Sequence, residues 1–293
     1  MSTQQLAEFY PGFNREVVPV VFSVEGVGFK IDAAVLTSHS EFFNDMLGSP
    51  HLGLDGEGTE QHPIVVLATT TEQFANFCRW LTHKSWSTLE ATQETLIDVL
   101  HVSHLFRVLD GVAFAVQALD LLSPHPISLC CRLHLTVRYG ITSWVDSTVR
   151  ALLSKPADTY GMKDLAYIGI DAFAIVNAAK ERIRRTRTLF ANFPIEPSTQ
   201  SEIDQAPFCN SHTKCRRIWV ERWFTHLARR IHCPDDPISL VDAPFALQTM
   251  LHPGMNSECK DYCLRLVHLS AELPKEESFI EEAIDSITRL VRA

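Results

Sequence analysis

The feature that most constrains this chain is a short β-rich passage near its start, set in a sequence that otherwise reads as helix. Val17 to Glu25 (VVPVVFSVE) is β-branched and aromatic, the composition of a buried strand. Gly26-Val27-Gly28 supplies a turn, and Phe29-Lys30-Ile31-Asp32 alternates as the returning strand of a hairpin. In AAVLTSHSEFFNDMLGSP, the apolar positions Val35, Leu36, Phe42, Phe43, Met46 and Leu47 suit two short helices, with Ser40 as the N-cap between them and Ser38 almost as good. Residues 48–63 carry the glycines, prolines and acids of an exposed loop. Pro63 to Leu67 reads as a third strand. Thr71 then caps a helix that sets Phe74, Phe77, Cys78 and Leu81 on one face. A small sheet flanked by helices is an α+β arrangement.

From Thr88 onward the pattern is helical almost to the end. Leu96, Val99, Leu100, Leu105, Leu109, Phe114, Val116, Leu119 and Leu122 recur at three- and four-residue spacings, until Ser123-Pro124-His125-Pro126 breaks the run. Further helices are expected at 127–139, 142–153, 162–167 and 171–188. The Pro- and Ser-containing stretch Phe190 to Phe208 reads as a linker or long loop. A last helical block spans Ser211 to Arg292, interrupted near Pro234, Pro237 and Pro253. The expected organisation is an α+β domain with its helical extension at 15–122, a helical region at 123–190, a linker at 191–208 and a helical C-terminal region at 209–293.

Charge and composition narrow the function classes. Hydrophobic residues make up 46% and charged residues 21%, the mix of a folded chain. Lys and Arg number 26 against 35 Asp and Glu, a net charge of -9, so nucleic-acid binding would need a local patch working against the overall field. No stretch approaches the roughly 18 consecutive apolar residues of a spanning helix, so no membrane partner is expected. Met1 to Tyr10 lacks the order of a signal peptide, and the expected setting is cytoplasmic or nuclear. In such a reducing compartment the eight cysteines are buried thiols or metal ligands. Cys78 and the Cys130-Cys131 pair lie in apolar helical patterns and read as core.

Three pieces, kept in order and spacing, carry a resemblance. VVFSVEGVGFKID is similar to the opening hairpin of BTB/POZ domains, and AVLTSHSEFFNDMLGSP to their helix ending in Ser-x-x-Phe with the short helix after it. PIVVLATTTEQFANFCRWL is similar to their third strand and following helix. Residues 123–187 also resemble the helical extension of BTB proteins abundant in fungi, most clearly in RYGITSW and LAYIGIDAFAIVNAAKERI. One position departs: Pro19 stands where the family's first strand often begins with an Asp near the subunit interface. The resemblance implies a BTB/POZ fold and a non-enzymatic protein–protein interaction module. Such a module forms homodimers and recruits a partner, in some relatives a cullin, as adaptor for a ubiquitin ligase.

One spacing points to a metal. In Cys209-Asn-Ser-His212-Thr-Lys-Cys215, soft or borderline ligands recur at intervals of three and can turn around one zinc ion, which takes four N/S partners. The fourth candidates are Cys259 and Cys263, at i and i+4 on an expected helix, and Cys233. Such a zinc would be structural. The alternative is a set of ordinary buried or surface cysteines.

Trp219 and Trp223 share a helix face and read as core anchors. Lys180 to Arg187 (KERIRRTR), with Arg216, Arg217, Arg229 and Arg230, is the basis of the competing reading, a nuclear transcriptional regulator contacting nucleic acid. Against it, Arg side chains also suit a helix terminus. His101 and His104 have no third ligand at metal spacing. Gly26-x-Gly28 lacks the third glycine of a nucleotide fingerprint, and no nucleophile elbow or phosphate loop occurs. No catalytic residue and no other cofactor is indicated.

Overall fold

The computed structural model describes residues 18–48, 57–83, 92–122, 127–155, 164, 167–196, 208–233 and 236–292. The chain divides into two compact units, Met1–Ile127 and Ser128–Ala293. The expected break at 123–126 and most of the expected helix at 162–167 lie outside the described residues.

The N-terminal unit is built on a three-stranded sheet in the order β2-β1-β3. Strand β1 (Pro19–Val24) pairs antiparallel with β2 (Val27–Asp32) and parallel with β3 (Ile64–Val66). Val24 faces Val27 in the register, so the hairpin turn is Glu25-Gly26 and not Gly26–Gly28. Both turn residues have positive φ, 51° and 81°, the geometry that follows the twist of a two-residue hairpin. Glu25 tolerates this because its carboxylate accepts hydrogen bonds from the Thr71 amide and hydroxyl, both at 2.9 Å. Pro19 opens the central strand below the reach of β3, which pairs only with Phe22 to Val24, so its missing donor interrupts no ladder there.

Helices α1 (Ala33–His39) and α2 (Glu41–Leu47) follow directly. Ser40 occupies the N-cap position of α2 without capping it: its hydroxyl donates to the Phe106 carbonyl at 2.7 Å. Phe43, three residues on, is fully buried and stacks on the Phe106 ring at 4.9 Å. The Ser-x-x-Phe spacing therefore fixes the α1–α2 corner to the chain just after α4 (Gln93–Leu105). Helix α3 (Thr71–Leu81) is capped by Thr70 and not by Thr71, because only Thr70 has Gln73 three residues later to complete a capping box. Phe22, Phe43, Phe74, Phe77 and Phe106 form the aromatic centre of this unit. Helix α5 (Leu109–Asp120) lies against α4, and Gly111 permits the approach. A Cβ there would sit 2.3 Å from Ser103 Oγ and 2.9 Å from the Trp80 ring.

The described elements of the C-terminal unit are helical. Helix α6 (Leu129–Tyr139), a 3-10 turn (Thr142–Trp144), α7 (Val145–Ser154) and the long α8 (Ile170–Asn192) pack with α13 (Lys275–Arg292) around Leu133, Val149, Leu152, Val176 and Ile287. A second core gathers Trp219, Trp223, Leu227, Ile231, Leu247 and Val267 from α9 (His212–Arg222), a π turn (Trp223–Leu227), α10 (Ala228–Ile231), α11 (Ala243–Thr249) and α12 (Ser257–His268). Helix α8 joins the two cores, since Ala172, Val176 and Ala179 belong to the first and Phe190 and Ala191 to the second. It therefore runs past the expected boundary at 188–190. Buried Trp219, Trp223, Leu227 and Ile231 recur at every fourth residue, a spacing that drifts by about 40° per step on a 3.6-residue helix. The wider π turn absorbs part of that drift and keeps all four on one face. Among the described residues, no helix is long and apolar enough to cross a membrane.

Candidate metal centre

Four of the six candidate zinc ligands come close together in the C-terminal unit. Cys209 precedes α9, Ser211 is its N-cap, and His212 and Cys215 lie in its first turn and a half. Ser211 Oγ accepts from the Lys214 amide at 3.4 Å and fixes where the helix begins. Cys259 comes from the first turn of α12, whose N-cap Asn256 accepts from the amides of Glu258 and Cys259 at 2.9 and 3.3 Å. Pro253-Gly254 leads into that cap, and Gly254 takes φ 81°, which a side chain would resist. Two helix N-termini, each carrying partial positive charge, thus meet at one group of sulfurs.

Two close pairs lie in this group. Cys259 Sγ lies 3.5 Å from His212 Nδ1, and Cys209 Sγ lies 3.6 Å from Cys215 Sγ. Tetrahedral zinc with Zn–S of about 2.3 Å and Zn–N of about 2.05 Å separates two sulfurs by roughly 3.8 Å and sulfur from nitrogen by roughly 3.6 Å. The ligand atoms of Cys209, His212 and Cys259 all lie within 4.8 Å of one another, and these three residues can hold a metal ion. Cys215 falls outside that mutual set. It reaches the group through Cys209 and accepts a hydrogen bond from the Asn256 amide at 3.3 Å.

Two of the cysteines are shifted in opposite directions. At Cys259, burial and the neighbouring Cys209 and Cys215 sulfurs push the thiol well above its usual value. At Cys209, burial acts upward but is outweighed by hydrogen bonds from the Ser211 amide, Cys259 and Cys215, so the thiol is held below its usual value. Cys209 therefore gives up its proton more readily than Cys259. The Glu258 carboxylate adds negative charge felt at Cys209, and its Oε2 is buried without a hydrogen-bond partner. A divalent ion would stabilise these charges together.

Cys263 does not join the group. One turn beyond Cys259, it is buried in the tryptophan core, where burial pushes its thiol up to about 12. Cys233 follows α10 in another part of the unit, and Cys130 and Cys131 are buried as expected. Asn256 and Glu258 have no ligand spacing in the sequence. Only the N-cap pattern Asn-Ser-Glu before an apolar run points to them.

The other candidates have structural partners. Trp219 and Trp223 are fully buried, and their indole N–H groups donate to the carbonyls of Ile195 and Ala191 at 2.9 and 3.0 Å. The basic run lies inside α8 and not at its end. Arg182 pairs with Glu282 and Arg187 with Glu276, both on α13, while Arg184 pairs with Glu181. Arg216 is held by Glu196 at 2.6 Å. His101 lies 3.0 Å from the Ala68 carbonyl, and His104 is exposed on the same helix.

No protein-family model, curated protein or solved structure matches this chain. The functional reading therefore rests on the geometry and on the ordered pieces of the N-terminal unit.

Proposed function

We propose that the chain is a non-enzymatic protein–protein interaction module. Its N-terminal unit is a platform of BTB/POZ type, and its C-terminal helical unit is held in shape by one structural zinc ion. The order hairpin, two short helices, parallel strand and helix supports the first part, and Ser40 and Phe43 lock the corner at the two short helices. The expected consequence is a homodimer that recruits a second protein, with a cullin scaffold as one candidate. Light scattering on a sizing column tests it. A dimer at micromolar concentration supports the reading, and a strict monomer at high concentration contradicts it.

For the metal, the two close pairs among Cys209, Cys215, His212 and Cys259 support a closed site of three sulfurs and one nitrogen. Zinc suits such a set because it binds thiolate and imidazole in a tetrahedron and has no redox chemistry of its own. With four protein ligands no position is open for water or substrate, so the ion's role is to tie α9 to α12. Nucleic-acid contact is the weaker reading, since Arg182, Arg187 and Arg216 each already bind a carboxylate from another segment of the chain.

A further inference from the structure

The C-terminal unit holds a second concave feature, lined by none of the four converging cysteine and histidine residues. A cleft of about 420 Å³ opens between the end of α7, the middle of α8 and the end of α10. That volume lies in the small-ligand range of roughly 300–1,000 Å³. Leu153 and Ile231 give it an apolar floor, while Lys155, Lys180, Arg184 and Arg187 line it against one carboxylate, Glu181. In a chain of net charge -9, such a concentration of cations needs an account.

Two of the four have structural partners. Arg187 binds the buried Glu276, and Lys180 Nζ donates to the Lys155 carbonyl at 2.8 Å, where a cation answers the negative end of α7. Lys155 and Arg184 bring the other two charges from different helices. Arg184 reaches Glu181 on its own helix through an exposed i,i+3 pair, a weak kind that an incoming anion can displace. The ends of α7 and α10 offer carbonyls and not N–H groups, so selection of an anion falls to these side chains. The apolar floor adds a requirement that bare phosphate does not meet.

We propose that this cleft binds a small amphipathic phosphate ester, its phosphate held between Lys155 and Arg184 and its apolar body lying on Leu153 and Ile231. Arg184 supplies the planar fork that matches phosphate oxygens, and Lys155 a point charge. A soluble phosphomonoester and the phosphate headgroup of an anionic lipid share this chemistry.

Isothermal titration of the full chain with phenyl phosphate tests the assignment, with inorganic phosphate and a Lys155→Ala/Arg184→Ala double variant beside it. The expected result is one saturable site per chain, tighter for phenyl phosphate than for inorganic phosphate and weakened about tenfold or more in the double variant. Both substitutions are on the surface, and an unchanged melting temperature checks that the variant is folded. Co-sedimentation with phosphatidylcholine vesicles containing phosphatidic acid separates the sources. Vesicle binding that accompanies phenyl phosphate binding and is lost in the variant assigns a lipid headgroup; phenyl phosphate binding alone assigns a soluble ester. No saturable phenyl phosphate binding, equal binding by the double variant, or equal affinity for inorganic phosphate overturns the proposal.

Discussion

At the scale of single residues, Glu276 is a buried anchor of the C-terminal unit. It is buried at the start of α13, and its oxygens accept from Arg187 at 2.5 and 3.3 Å and from the Leu240 amide at 3.0 Å. Truncation leaves a half-buried guanidinium and a buried amide without their acceptor. Glu276→Ala should therefore lower unfolding free energy by about 3 kcal/mol in urea titrations, whereas Glu181→Ala on the exposed pair should leave it nearly unchanged. Equal costs at the two sites would contradict this ranking. His252 sets a pH dependence. It stacks on Trp219 at 5.4 Å, and burial lowers its pKa from 6.5 against the Met250 carbonyl; Lys260, Arg222 and His226 push the same way. With the folded value depressed, the unfolded chain takes the proton first, so stability falls as pH drops through 6.5. Melting temperature should decline between about pH 7.5 and about pH 5.5, and His252→Phe should flatten that slope. A slope unchanged by the substitution would assign it elsewhere. None of these roles is legible locally: Glu276 looks like any acid in a first helical turn, and its partners lie 89 and 36 residues away.

At the scale of elements, strands and helices follow the hydrophobic period closely, and the misplacements have local causes. The hairpin turn is misread because Glu at positive φ is disfavoured, and only the tether from Thr71, distant in sequence, makes it acceptable here. Thr70 and Thr71 offer equivalent caps until the Gln73 side chain selects one. Helix α8 extends through Asn192 because Phe190 and Ala191 are needed in the second core, which the prolines beyond them obscure. Cys259 and Cys263 share a helix face in the sequence; only packing shows that the first lies beside Cys209 and the second among tryptophans. The α4–α5 contact gives a test against propensity. Alanine is the better helix former by about 1 kcal/mol, yet Gly111→Ala should destabilise the N-terminal unit by roughly 1–3 kcal/mol, because Ser103 and the Trp80 ring occupy the space of its Cβ. A rise in denaturation midpoint would show that the two helices are not so closely apposed.

At the scale of the whole molecule, the two compact units have different sources of stability. The N-terminal unit rests on an aromatic core and a fully paired hairpin. The C-terminal unit rests on two apolar cores, a set of Arg–Glu pairs between α13 and its neighbours, and the convergence of Cys209, His212, Cys215 and Cys259. If the proposed zinc is bound there, its removal by a chelator should increase amide exchange in α9 and α12 and leave the strands of the N-terminal unit protected. Uniform loss of protection across both units would show that the metal does not act where the ligands are. The measurement closest to the central claim is the zinc content of the purified chain beside a Cys209→Ser/Cys259→Ser variant. Close to one zinc per chain is expected, lost in the variant together with part of its thermal stability; fully folded protein that contains no zinc and takes none up would rule out the metal centre.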